Sequence, residues 1–311
     1  MNILYIIFGI AMVLWGAGKL TDGATAMASR MQVPPMVIGL TVVAMGTSMP
    51  EFFVSLVSAL KGTGNLAAGN VVGSNIFNAT LIVGATALVA PMAIAKSTVT
   101  KDIPFAVLAS VLLVLLGLDG NISRMDAALL FAVFIAFMVC TVRSARKGGG
   151  NNENVKEMPV WRAATFFLLG LACLIVGSNL FVDGATKVAS LLGVSDAVIG
   201  LTVVAGGTSL PELATSIVAA RKGQCAIAMG NVIGSNVTNI LMIIGITGII
   251  SPMEISGISW IDLTVMLVSM ALLWMFSFTK YTVARWEGAL IVAMFACYMS
   301  WLVIHAVRKT T

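Results

Sequence analysis

Charge is the scarcest property of this chain: of 311 residues only 10% are Asp, Glu, Lys or Arg, and a single histidine is present. A soluble domain of this length must cover its core with polar surface. A sequence that is 59% hydrophobic, with a mean hydropathy of +1.02, cannot do so. The four cysteines, Cys140, Cys173, Cys225 and Cys297, have no metal-ligand spacing, and most lie in or beside apolar runs. They read as small packing residues, not as a disulfide framework. His305 has no second His or Cys nearby and reads as an interfacial residue. No transition-metal cluster, P-loop or nucleophile–base pair can be assembled, so covalent chemistry is not expected. An intramembrane hydrolase would need an Asp dyad, a Ser with a base or a His-rich metal site at span depth. The nineteen methionines and the aromatics read as core and lipid-facing filler, not as a cofactor box, and no cofactor is expected.

Long apolar runs fill the space that charge leaves. They predict an all-α integral membrane protein with ten spans, centred near 10, 47, 78, 111, 134, 172, 208, 238, 269 and 295. The first run lacks a basic leader and a small-residue cleavage site, so it is read as the first span. The least apolar stretch is Arg143 to Pro159, within a linker set at 143–162 between halves 1–142 and 163–311. It is too short and too polar for another folded domain. Five spans on either side make the second half enter the membrane from the opposite face, giving two inverted-topology five-helix repeats.

The basic residues divide thirteen to five in favour of loops on the linker's side, which include Lys19, Arg143, Arg146, Lys147, Arg221 and Lys222. That bias predicts a cytoplasmic linker and both termini outside. The net charge of +5 then reflects anionic headgroups and needs no nucleic-acid partner.

The chain also contains itself twice. Asp22-Gly-Ala-Thr, Val37 to Ala44, Gly46-Thr-Ser-Met-Pro-Glu51 and Gly69-Asn-Val-Val-Gly-Ser-Asn-Ile-Phe-Asn78 recur 161 positions later. The copies are Asp183-Gly-Ala-Thr, Val198 to Ala205, Gly207-Thr-Ser-Leu-Pro-Glu212 and Gly230 to Asn239. A constant offset implies structurally equivalent halves, and Gly/Pro-interrupted apolar segments in corresponding places point to a transport site where the halves meet.

Of the thirteen acids, only Glu51 and Glu212 fall near the middle of a span, and no Lys or Arg shares their depth. A buried charge there costs about 2.5–3.5 kcal/mol on insertion scales and needs a partner or a watery cavity. Two such carboxylates within about 4 Å would repel by about 4 kcal/mol at an effective dielectric near 20. Either protons or a cation must relieve that repulsion, which leaves proton–metal and metal–metal exchange both open. On a helix Ala44, Thr47, Ser48 and Glu51 share a face, as do Ala205, Thr208, Ser209 and Glu212. Pro50 and Pro211 remove backbone donors there, and freed carbonyls in hydrocarbon must line a cavity or bind something. Ser74 with Asn78, and Ser235 with Asn239, add neutral oxygens at a four-residue spacing. Such all-oxygen surroundings suit Ca²⁺ or Na⁺ better than zinc or copper. The competing reading is that Gly, Ser and Thr, with Thr41 and Thr202 among them, pack helices while the glutamates act as polar glue. A full negative charge placed twice argues against glue.

At these motifs the sequence resembles the cation/calcium exchangers, and specifically the prokaryotic sodium/calcium exchangers, over essentially its whole length. The resemblance implies that Glu51 and Glu212 bind Ca²⁺ and share Na⁺, and that Thr47 and Thr208 supply backbone carbonyls to Ca²⁺. It further implies that Ser48, Ser74, Ser209 and Ser235 are hydroxyl ligands of Na⁺, that Ala44 and Ala205 donate carbonyls to Na⁺, and that Asn78 and Asn239 form the central pair. Asn239 stands where some relatives, including potassium-dependent ones, carry Asp, which removes a third acid and argues against potassium dependence. The short linker leaves no room for a calcium-sensing domain. The expectation is a plasma-membrane Na⁺/Ca²⁺ antiporter, with Ca²⁺, Na⁺ and the bilayer as its partners. In that scheme the first and sixth spans slide against the core. An H⁺/Ca²⁺ exchanger is the nearest alternative, and a cation channel the next.

Overall fold

The computed structural model describes residues 2–148, 158–193, 199, 203, 205–255 and 258–310, without side-chain detail at 146–148, 205 and 305–310. Most of Val198–Ala205, including Thr202, the linker core at 149–157 and the His305 side chain lie outside the described residues. Helices dominate: α1 (Asn2–Arg30), α2 (Pro35–Thr47), α3 (Met49–Leu60), α4 (Gly64–Val89), α5 (Thr98–Leu116), α6 (Arg124–Gly148), α7 (Val160–Leu191), α8 (Ala205–Thr208), α9 (Leu210–Arg221), α10 (Cys225–Ile250), α11 (Trp260–Ser277) and α12 (Arg285–Thr310). Eight of these are long and apolar enough to cross a membrane. The pair α2 and α3, bent by 47° at Ser48, is long and apolar enough when taken together. The expected span near 208 has α8 and α9 as its described part. Outward faces carry large apolar side chains such as Ile7, Phe8, Leu14, Leu129, Ile135 and Leu168, as a bilayer demands. Cys140 and Cys297 belong to that exposed surface, so they are not the packed residues the sequence suggests, and all four cysteines are free.

The core is built around α4 and α10. Every residue from Ile227 to Val237 is buried. The backbones of α2 and α10 nearly touch: a Cβ on Gly230 would lie 2.7 Å from the Met36 carbonyl, and one on Gly234 2.5 Å from the Leu40 carbonyl. Both central helices widen for one turn into π-helix, at Asn78–Ile82 and at Thr238–Ile243. Such turns put an extra residue into the helix and rotate the residues beyond it about the axis.

Four two-residue strands lock the halves crosswise. β1 (Met92–Ala93) pairs antiparallel with β4 (Thr282–Val283), and β2 (Asn121–Ile122) pairs with β3 (Met253–Glu254). β3 is the copy of β1 and β4 the copy of β2 at the 161-residue offset, so each half's strands pair with the other half's.

Helices α1 and α7 lie antiparallel along a glycine seam of seven-residue period. Gly9, Gly16 and Gly23 meet the backbone around Gly177, Gly170 and Ala163, and Gly184 meets the Asn2 carbonyl. In lipid, where apolar surface gains nothing by leaving its solvent, close backbone approach is what holds helices together. Gly16→Ala places a methyl 2.7 Å from the Gly170 carbonyl, whereas on Gly18 the nearest atom to an added methyl is Lys222 Nζ at 3.8 Å. Gly16→Ala is expected to cost about 1–3 kcal/mol of overpacking strain and Gly18→Ala to be neutral or stabilising by up to about 1 kcal/mol, read as opposite shifts of melting temperature in detergent.

Candidate ion-binding site

Both glutamates sit in the first turn of a helix that follows a break. Ser48 (φ −80°, ψ 8°) ends α2 and Ser209 (φ −89°, ψ 5°) ends α8, each leaving the helical region just before a proline-containing first turn. The break turns the middle of a span into a helix N-terminus, whose positive dipole end favours a carboxylate. Pro50 and Pro211 carry no N–H, so the Gly46 and Gly207 carbonyls lose the donor a regular helix would give them, and N–H groups at the α2 cap bond the Ala44 and Gly46 carbonyls instead. Glu51 and Glu212 are each 1% exposed.

The bonds between the two breaks are reciprocal. Ser48 Oγ donates to Glu212 Oε1 at 3.1 Å, and Ser209 Oγ donates to Glu51 Oε1 at 3.1 Å. Each serine thus serves the carboxyl of the opposite half. The second oxygen of each carboxyl, Oε2, is buried and has no hydrogen-bond partner. Asn78 Oδ1, Asn239 Oδ1 and Ser235 Oγ are also buried without partners. Asn78 lies on the π-turn packed against α9, and Asn239 on the π-turn packed against α3, so each of these turns lies against the glutamate helix of the other half. Ser74 is buried on α4. Orphaned buried acceptors are expensive, so five of them, two on carboxyls, form a set that calls for a positively charged occupant. Among the described residues no Lys or Arg comes within 4.0 Å of either carboxyl, the single ion pair being Lys222 with Asp22.

Ala44 is buried one turn before Ser48, and the Ala205 backbone opens α8 in the matching place. Thr47 departs from the simple one-face picture. Its hydroxyl donates 3.0 Å to Asn231 Oδ1 and lies 3.3 Å from the Ala44 carbonyl. Thr208, its counterpart, closes the four-residue α8.

The sequence reading passed over Asn70 and Asn231, the first asparagines of the duplicated Gly-Asn motif. Asn231 Nδ2 donates to the Glu212 carbonyl at 3.3 Å and to Ser216 Oγ at 3.1 Å, while its Oδ1 receives Thr47. This one buried amide ties the glutamate helix of the second half to the break of the first. Asn70 repeats the motif with the Glu51 carbonyl at 3.2 Å and Ser55 Oγ at 3.0 Å, from a half-buried position. The signal available in sequence was the duplication itself, with Ser55 and Ser216 repeating at the same offset.

Comparisons with known proteins place the chain in a family. The family model described as sodium/calcium exchanger protein matches residues 1–143 and 162–304, leaving out little beyond the linker. The chain belongs to the sodium/calcium exchanger family. Within that family it is 31% identical to the sodium/calcium exchanger MaX1 of Methanosarcina acetivorans over 96% of this chain and 97% of the relative. It is 40% identical to the putative antiporter CaxA of Alkalimonas amylolytica over 80% and 81% of the respective chains. It is also similar to the inner membrane protein YrbG of Escherichia coli, at 38% identity over 85% and 84%. A solved structure of the exchanger NCX_Mj, soaked with 10 mM Na⁺ and 10 mM Sr²⁺, superposes with a TM-score of 0.85 at 31% identity, covering 96% of this chain and 97% of that one. The family is one of membrane ion antiporters.

Removing Asn231 would strand Thr47 and Ser216 in a dry interior, whereas water can replace Asn70. Asn231→Ala is expected to destabilise by about 1–3 kcal/mol and Asn70→Ala by less, compared as melting temperatures in detergent at matched Na⁺.

Proposed function

We propose that the protein exchanges Na⁺ for Ca²⁺ by alternating access through a site centred on Glu51 and Glu212. The observation that carries this reading is the reciprocal pair of bonds from Ser48 to Glu212 and from Ser209 to Glu51, with both outer carboxyl oxygens left buried and unpartnered. The reading takes the chain as ten spans in two inverted five-helix repeats, 1–142 and 163–311, joined by the 143–162 linker. The crosswise strand pairs and the 161-residue offset support that plan.

Ca²⁺ takes its charge balance from Glu51 and Glu212 and completes its shell with neutral oxygens in flexible geometry. The Thr47 and Thr208 carbonyls, loosened by the breaks, are suited to that part. Na⁺ carries half the charge and gains less from a carboxylate pair. It therefore relies on several neutral oxygens to replace its hydration shell: the hydroxyls of Ser48, Ser74, Ser209 and Ser235, the carbonyls of Ala44 and Ala205, and the amides of Asn78 and Asn239. Ions of both kinds compete for the two carboxyls, so their binding is mutually exclusive in effect, which is the requirement for exchange. No step forms or breaks a covalent bond.

The setting is a prokaryotic inner membrane with the linker in the cytoplasm and both termini outside, as the thirteen-to-five division of basic residues favours. A cysteine introduced at Gly149 should then resist an impermeant thiol reagent applied to intact cells, and rapid labelling from outside would reverse the orientation.

The deciding experiment is flux in proteoliposomes. An outward Na⁺ gradient at equal pH on both sides should drive Ca²⁺ uptake, and Glu51→Gln or Glu212→Gln should abolish it while leaving a folded protein. Ser48→Ala and Ser209→Ala should weaken the apparent Na⁺ affinity more than the Ca²⁺ affinity. Uptake that follows a proton gradient and ignores Na⁺ would instead establish H⁺/Ca²⁺ exchange.

A further inference from the structure

The sole ion pair among the described residues lies away from the site. Lys222 Nζ is 2.6 Å from Asp22 Oδ1 and donates 2.8 Å to the Gly18 carbonyl one turn earlier, so the ammonium is seated on α1 by two contacts. Both partners belong to duplicated motifs: Asp22 opens Asp-Gly-Ala-Thr, and Lys222-Gly223 follows α9. At the same offset stand Asp183 on α7 and Lys61-Gly62 after α3. Gly62 and Gly223 share a left-handed turn, with φ of +74° and +76°, so the two lysine loops have the same local shape. Yet Lys61 and Asp183 are both exposed and form no ion pair. Lys187, one turn past Asp183, does not take the lysine's place, since its ammonium sits over the Tyr5 ring at 5.7 Å.

Two copies of one element are thus found in different states at opposite ends of the bundle. The Lys222 loop neighbours Pro91 beside β1, and the Lys61 loop reaches Gly64 beside Met253 of β3. Both aspartates ride on the α1–α7 pair, and both lysines on the loops that close the broken spans. On the exchange reading given above, we propose that Asp22–Lys222 and Asp183–Lys61 are alternating electrostatic latches. The first holds the linker side closed in the state seen here. The second forms as the first opens, when α1 and α7 shift together relative to α3 and α9.

The test uses a variant with the four native cysteines replaced by serine, in proteoliposomes. Lys–Asp bridges span more than a disulfide can, so paired cysteines are joined by a short, reducible bifunctional thiosulfonate. Asp22→Cys with Lys222→Cys, and Lys61→Cys with Asp183→Cys, should each cross-link during Na⁺/Ca²⁺ turnover and each stop Ca²⁺ uptake until reduced. Neutralising single partners in the otherwise native protein should shift sidedness in opposite directions. Lys222→Ala favours the state open to the linker side and Lys61→Ala disfavours it, by about two- to five-fold each, the range of an exposed ion pair. The swap Asp22→Lys with Lys222→Asp should restore the native partition. The latch fails if Lys61→Cys with Asp183→Cys never cross-links in protein that exchanges when reduced, if the link leaves uptake intact, or if both alanine variants shift the partition the same way. Absence of Na⁺-driven uptake in the wild type would instead overturn the exchange reading, which separates the two failures.

Discussion

Two buried carboxyl groups, one from each half-chain, each take a serine bond from the opposite half, and among the described residues no basic side chain pairs with them. Water does not screen the two groups, since both are 1% exposed. Their charge is moderated by dipoles: a serine hydroxyl donated from the opposite half and the N-terminal turn of a broken helix. Moderation short of neutralisation is the property a transporter needs. A lysine at this depth would fill the charge deficit permanently, while an apolar pair would attract no ion.

The breaks explain why the helices around the site are irregular. A straight helix at Ser48 would commit every carbonyl to an internal bond and leave only side chains to face an ion. Breaking it costs backbone bonds, and the cost is tolerated because the surrounding packing is close. The α2–α10 backbone contact and the Asn231 brace hold the break in register. The π-turns at Asn78 and Asn239 play a similar part on the central helices, setting the amide-bearing turn at an angle a regular helix would not give.

Much of this was legible in the sequence, and the limits have physical causes. The spans follow from hydropathy because the bilayer tolerates little else, and Glu51 and Glu212 stand out because charge in an apolar run is rare. Spacing within a helix reports only neighbours three or four residues away. It therefore grouped Ser48 with Glu51, whereas the Ser48 hydroxyl bonds Glu212, a relation that needs the two halves docked. Thr47 was read through its carbonyl, and its hydroxyl contact with Asn231 could not be anticipated for the same reason. Nor do the π-turns announce themselves, since Asn-Ala-Thr-Leu-Ile and Thr-Asn-Ile-Leu-Met-Ile have no residue that a regular α-helix would reject.

The crosswise strands carry a consequence for how the chain becomes a protein. Met92–Ala93 finds its partner in Thr282–Val283, and Asn121–Ile122 finds its own in Met253–Glu254. Each half made alone would insert into the bilayer with two raw strand edges, a serine pointing at no carboxyl and a glutamate with no donor from across the seam. The first half must therefore wait in the membrane as an unfinished surface while the second is synthesised. The smallest cooperative unit is the whole chain, and the short linker matters chiefly as a tether that keeps the waiting half and its complement at high mutual concentration.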